Sequence, residues 1–225
     1  AGPKSRQLLQ ELTDDDVSND AFRFLDIRRM NVGMAPCLVG RVSFTGDLGY
    51  EIWMEPEHQR HVFDLLLDHG KTYAVRLFGS RALNALRVEK NFGSWAREYR
   101  PVYGPYEAGM GRFVALKKEA DFIGKSAAAA EKEHGGKLRL RTFVVEATDA
   151  DAIGDEPIWF DGKVRGWVTS GGYAHACGVS VAMGYVHKEF ADEEQGWSIE
   201  ILGEHCGARL QPAPLFDPGA ERMRG

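Results

Sequence analysis

Long apolar runs are missing from this sequence: none of its 225 residues lie in a stretch that approaches the ~20 consecutive apolar residues needed to cross a bilayer. Cysteine is scarce, with three at positions 37, 177 and 206 and neither a CxxC pair nor a histidine at zinc-ligand spacing. A disulfide scaffold and a metal site are therefore not expected, and reduced thiols in a reducing compartment are. Basic excess is absent as well. The 28 Lys+Arg against 33 Asp+Glu leave a formal charge of -5, and Arg28-Arg29 and Lys117-Lys118 are only pairs, so no nucleic-acid partner is expected. There is no dinucleotide fingerprint, phosphate loop, nucleophile elbow or internal repeat. The opening AGPKSRQLLQ has none of the regions of a secretory leader, and no membrane partner is expected. What remains is a globular composition, 44% hydrophobic and 27% charged, long enough for one large domain or two modest ones.

Local patterns give the organisation. Pro3 to Leu12 predicts a short helix, with Leu8, Leu9 and Leu12 on one face. It begins with an apolar face to bury and no strand before it, so the natural polypeptide is expected to extend further toward the N-terminus. From Cys37 to Met54 two strand-like runs, CLVGRVSF and YEIWM, flank Thr45-Gly46-Asp47-Leu48-Gly49 and predict a hairpin. Glu55-Pro56-Glu57 opens a helix that presents Val62, Leu65, Leu66 and His69 and stops at Gly70. A second helix is expected from Ser80 as N-cap through Leu83, Leu86 and Val88. Residues 91–120 are dense in aromatics and turn formers, which points to core or interface, and DFIGKSAAAAEKEHGG predicts a helix with a glycine stop. From Leu138 onward short strands are separated by turn signals such as Asp161-Gly162, the pattern of a small β-barrel or sandwich. The fold class is therefore α+β, with a lobe over 1–136 and a C-terminal β-barrel domain over 137–225.

Three places offer chemistry. In RVSFTGDLGYE, two glycines let backbone approach a flat ligand, and Glu51 follows on the returning strand, facing opposite to Tyr50 and Ile52. An inward Glu51 needs donors, since one unmet buried hydrogen bond costs about 1–3 kcal/mol. A heterocycle with adjacent ring N–H and amino groups would supply them. An exposed strand glutamate beside an ordinary glycine turn is the other reading. Arg87, in LRVEK, can clamp a carboxylate or a polar ligand edge bidentately, or pair structurally with Glu89. Val168-Thr169-Ser170-Gly171-Gly172 reads as a small-residue loop after a barrel strand, either ligand-touching or a plain tight turn.

Together GRVSFTGDLGYEI, ALRVEKNFGSWAREYRPVYGPYEAGMGRFV, DFIGKSA, VRGWVTSGG and PLFDPGAERMRG resemble the folate-binding aminomethyltransferase family of the glycine cleavage T-protein. The resemblance covers nearly the whole chain, and LRVEKNFGSWAREY looks most like the dimethylglycine and sarcosine dehydrogenase branch. It implies a clover-like fold of two α+β lobes and a barrel, and tetrahydrofolate-dependent one-carbon transfer from an N-methyl amine. The alternatives on the same fold are a glycine cleavage aminomethyltransferase, a sulfonium demethylase, and a non-catalytic folate-binding module. Glu51 matches the family glutamate that binds the pterin. Phe44 stands where the T-protein pattern has tyrosine, so a ring face survives and the hydroxyl does not. Arg87 matches the family arginine at the folate site, with Glu89 orienting it, and Tyr50 joins the same set. The family's catalytic aspartate lies upstream of the segment matching Ala1, so no catalytic residue is expected within this chain. The resemblance further implies FAD in a preceding flavin domain as partner, and the bacterial cytoplasm or the mitochondrial matrix as compartment.

Overall fold

The computed structural model describes residues 1–225. The chain divides into two compact units, residues 1–90 with 216–225, and residues 91–215.

In the first unit, α1 (Ser5–Glu11) buries Leu8 and Leu9, as the leucine spacing requires. The antiparallel strands β1 (Ile27–Val32), β2 (Ala35–Gly40) and β3 (Glu51–Met54) form a sheet in that order. Alternation sends Met30, Val32, Ala35, Cys37 and Val39 to one face, where they meet Leu8, Leu9, Leu12, Phe22 and, from α2 (Gln59–Gly70), Val62. Strand β1 is not anticipated by the sequence pattern. Arg28, Arg29 and Asn31 dilute its apolar alternation, and its hairpin turns on Gly33-Met34, with Gly33 at φ +57°, in place of an Asn-Gly signal.

The expected hairpin is shorter than its apolar runs suggest. Strand β2 ends at Gly40 and β3 begins at Glu51, leaving residues 41–50 as a loop. Arg41 turns the chain there. Its N–H donates to the Asp26 carbonyl, its carbonyl accepts from Leu25, and its fully buried guanidinium donates to the carbonyls of Phe22 and Arg224. Helix α2 ends at Gly70, as its pattern predicts, and the chain continues as a 3-10 turn, Lys71–Tyr73, to the left-handed Ala74. Gly70 is small for space: a Cβ would lie 2.8 Å from Val75 Cγ2. Helix α3 (Ser80–Glu89) has Gly79, not Ser80, as its N-cap, so the serine is already inside the helix.

In the second unit, α4 (Lys125–His134) starts after Gly124 and ends at Gly135, both with positive φ. Six strands follow, β4 (Leu138–Val145), β5 (Pro157–Phe160), β6 (Lys163–Ala174), β7 (Val179–His187), β8 (Trp197–Ile201) and β9 (Glu204–Leu210). They close into a barrel in the order β4-β7-β6-β5-β8-β9, which leaves no free edge. Phe143, Ile158, Val168, Trp197 and Ile199 lead its core. The Val168–Gly172 segment is not a loop after a strand but lies within β6, with a register shift between Val168 and Ser170. Gly171 is there because a Cβ would stand 2.3 Å from the Ala152 carbonyl oxygen. Of the aromatics at 91–120, Tyr103 stacks on Tyr185 at 3.7 Å, whereas Trp95 and Phe113 are exposed.

In the pairing of β6 with β7, Gly166 stands where a Cβ would lie 2.1 Å from the Tyr185 carbonyl oxygen. Backbone cannot swing aside as a side chain can. Gly166→Ala is expected to lower stability by about 3 kcal/mol, the upper part of the overpacking range, read as a lower urea midpoint with unchanged slope.

Candidate functional site

The five residues singled out from the sequence all lie in the first unit, on β3, the loop before it and α3. Glu51 opens β3 opposite Gly40, and its side chain is exposed. The inward carboxylate envisaged from alternation is not what the strand shows. Tyr50, Ile52 and Met54 take the core-side positions, and Glu51 shares the open face with Trp53. Phe44, at the tip of the loop, is also exposed. Tyr50 packs its ring 5.9 Å from that of Phe22, and its hydroxyl is buried with no hydrogen-bond partner.

Arg87 and Glu89 are both buried on α3. The Arg87 guanidinium donates from Nε and Nη2 to Asn84 Oδ1, at 3.0 and 2.7 Å. Asn84 therefore orients it from one turn back, the i,i+3 spacing at which helix side chains meet. That partner was readable as a polar residue three before Arg87, but nothing in the pattern distinguished it from a solvated asparagine. The Glu89 carbonyl accepts the Phe216 N–H at 3.1 Å.

The loop itself is held by its own side chains. Ser43 Oγ accepts the Gly46 N–H at 3.1 Å, Thr45 Oγ1 the Asp47 N–H at 3.4 Å, and Asp47 Oδ1 the Leu48 N–H at 2.8 Å. Gly46 has φ +83° and sits against the Lys90 stem, a Cβ there falling 3.0 Å from Lys90 Cγ. The Lys90 ammonium, 3% exposed like the rest of its side chain, donates to the Asp217 carbonyl and, at 3.0 Å, to Asp217 Oδ2. Arg222 reaches Asp47 at 3.0 Å. The segment 216–225 thus fastens both the 41–50 loop and the end of α3. Sequence reasoning missed Lys90 and Asp217 because their partnership spans 127 positions and neither residue has a local pattern.

Burial pushes the Asp217 carboxyl up, but hydrogen bonds from Lys90 and from the N–H groups of Glu221 and Arg222 outweigh it and hold the group below its ordinary value. Burial, reinforced by the nearby Arg6 charge, lowers the pKa of Arg41.

The model of the GCVT N-terminal domain matches residues 1–118, and that of the glycine cleavage T-protein C-terminal barrel domain matches residues 139–217. The chain is 38% identical over 226 residues to mouse mitochondrial dimethylglycine dehydrogenase, covering 100% of this chain and 26% of that protein. It is 31% identical over 216 residues to an aminomethyltransferase of Desulfitobacterium hafniense, covering 96% and 58%. The crystal structure of the glycine cleavage system aminomethyltransferase T from Bartonella henselae superposes with a TM-score of 0.82 at 20% identity, covering 95% of this chain and 57% of that one. The chain therefore spans about a quarter of the length of the dehydrogenase and somewhat over half that of the aminomethyltransferases.

Proposed function

We propose, from the premise that this chain belongs to the glycine cleavage T-protein family, that it is the folate-binding part of an enzyme moving a one-carbon unit from an N-methyl or aminomethyl amine to tetrahydrofolate. In this reading residues 1–136 are the folate-binding lobe and 137–225 the barrel domain. The dehydrogenase branch is favoured over a glycine cleavage aminomethyltransferase by the higher identity to dimethylglycine dehydrogenase. The parent enzyme would then carry a flavin domain, and its compartment would be the mitochondrial matrix or the bacterial cytoplasm.

The observation that carries the reading is an accessible carboxylate, Glu51, at the start of β3, with an accessible ring, Phe44, on the preceding loop, which is braced from within. A reduced pterin is a flat heterocycle whose edge carries adjacent N–H and amino donors. Glu51 accepts from that edge and Phe44 offers a face to the ring system. Tyr50, next to Glu51, holds a buried hydroxyl with unused capacity. Arg87, oriented by Asn84, and Glu89 complete the set. Tetrahydrofolate, when bound, supplies the N5 amine that accepts the carbon unit. The contribution of these residues is orientation, a lever of ~7–11 kcal/mol for well-placed reactants.

Glu51→Gln in the full natural polypeptide is expected to weaken tetrahydrofolate binding at least tenfold, as loss of charge-assisted hydrogen bonds of about 1.5–3 kcal/mol implies. Titration calorimetry reads this directly. Because the side chain is exposed, the melting temperature should not move, and unchanged affinity would reject the assignment of Glu51.

A further inference from the structure

The loop over residues 41–50 lies outside the sheet, yet it carries Phe44 and delivers the chain to Glu51. The hydrogen bonds among Ser43, Thr45, Gly46 and Asp47 shape its tip from within. Two charged residues from elsewhere in the first unit reach that tip. The Lys90 stem supports Gly46, and Arg222 Nη2 stands 3.0 Å from Asp47 Oδ2, the one ion pair made by residues 43–47.

Lys90 and Arg222 are themselves joined. A last short helix, α5 (Glu221–Arg224), is preceded by Asp217, whose Oδ1 accepts the Glu221 N–H at 3.0 Å. Asp217 Oδ2 accepts both the Arg222 N–H at 3.2 Å and the Lys90 ammonium at 3.0 Å. Both cations also lie over the Phe216 ring, Lys90 Nζ at 6.0 Å and Arg222 Cζ at 5.1 Å from its centroid. Lys90 directly follows the helix that carries Arg87 and Glu89. A series of contacts therefore runs from the end of α3, through Asp217 and Arg222, to Asp47 and the loop of Phe44.

The two ends of this series differ in weight. Lys90 and Asp217 are buried, and their pairing belongs to folding. The side chains of Arg222 and Asp47 are 49% and 19% exposed, where an ion pair adds little to global stability. A contact so slight can still decide where a short loop rests, because the alternative positions of such a loop differ by as little.

We propose that Arg222 is a positioning residue for the tetrahydrofolate site, holding through Asp47 the loop tip from which Phe44 faces the pterin. The inference rests on the proposed function and deepens it, since it ties the α3 half of that site to the loop half. Without the Arg222 guanidinium the tip samples other positions, and the apparent affinity falls with the fraction of molecules that keep Phe44 in place.

The test is titration calorimetry of tetrahydrofolate on the full natural polypeptide. Arg222→Gln is expected to weaken binding about fivefold, as it does if the ordered tip falls to about a fifth of the population, with the urea midpoint unchanged. Arg222→Lys should recover most of that loss. Asp47→Asn keeps an oxygen for the Leu48 N–H and should cost the same as Arg222→Gln, and the double variant should cost no more than either alone. In 1 M salt, where the screening length is ~3 Å, the affinity ratio between parent and Arg222→Gln should fall toward one. A purely packing role of Arg222 over Phe216 would leave that ratio unmoved. Additive losses, a ratio indifferent to salt, or a change under twofold would each overturn the inference.

Glu51→Gln, measured alongside, separates this inference from the reading beneath it. Weaker binding in Glu51→Gln with none in Arg222→Gln removes the positioning role and keeps the folate site. The reverse pair keeps the loop as a folate element positioned by Arg222 and removes Glu51. Indifference of both variants removes both.

Discussion

Replacing Lys90 by alanine is expected to lower the stability of the first unit by about 3–5 kcal/mol, the range for breaking a buried ion pair by removing one partner. The pair is buried on both sides, with side-chain exposures of 3% for Lys90 and 10% for Asp217. Removing the ammonium leaves Asp217 Oδ2 with the Arg222 N–H but no charged donor, and takes the donor from the Phe216 and Asp217 carbonyls together. It also deletes the aliphatic stem on which Gly46 rests. Urea melts followed by far-UV circular dichroism should show the lower midpoint, and a change under 1 kcal/mol would mean that the lysine is ornamental.

The same pair sets an acid limit. The Asp217 carboxyl titrates below its ordinary value in the fold, so its contribution is fully present above the unfolded value of ~3.9 and disappears as pH falls through the lower folded value. Asp217→Asn should accordingly flatten the stability profile below about pH 4 while lowering the plateau at neutral pH.

The second large effect is expected at Glu98, a fully buried carboxylate in the second unit. Its Oε1 accepts from Ser170 Oγ at 2.6 Å and its Oε2 from the Ser94 N–H at 2.7 Å, while its carbonyl accepts from the Tyr185 hydroxyl at 2.6 Å. One residue thus ties the 92–99 turn to β6 and β7. Burial, with the neighbouring Tyr103 next in weight, drives the Tyr185 hydroxyl toward its neutral, donating form. Glu98→Ala leaves a hydroxyl and an amide without this acceptor at about 1–3 kcal/mol each, so a loss of about 2–6 kcal/mol is expected. Glu98→Gln should fall between, because one oxygen can still accept and the new N–H group needs a serine to turn toward it. Equal midpoints for the alanine variant and the parent would remove Glu98 from this bracing role.

The barrel was legible in the sequence because its signals are local. Asp161-Gly162 marks a turn, PIWF is both the predicted run and the observed strand, and apolar runs alternate with breakers through to Leu210. Where local signals mislead, a contact from far along the chain decides. Val168–Gly172 looks like a loop for its small residues, but it lies within a continuous strand where Gly171 lets Ala152 approach. Residues 41–44 carry strand-like alternation, yet buried Arg41 turns the chain toward Phe22 and Arg224. The candidate site divides along the same line. Its motif residues could be named from a family pattern, whereas Asn84, Lys90 and Asp217 became visible only once the helix and the returning segment were placed.

That returning segment also orders events during synthesis. The second unit is contiguous, residues 91–215, so all of it has been translated before Phe216–Gly225 emerges to rejoin residues 1–90. The first unit, though made first, must wait for the last ten codons among these 225 before Lys90 and Asp47 gain their charged partners. Until then a chaperone would meet a finished barrel attached to a half-fastened lobe, and premature termination shortly before codon 216 would injure residues 1–90 rather than residues 91–215.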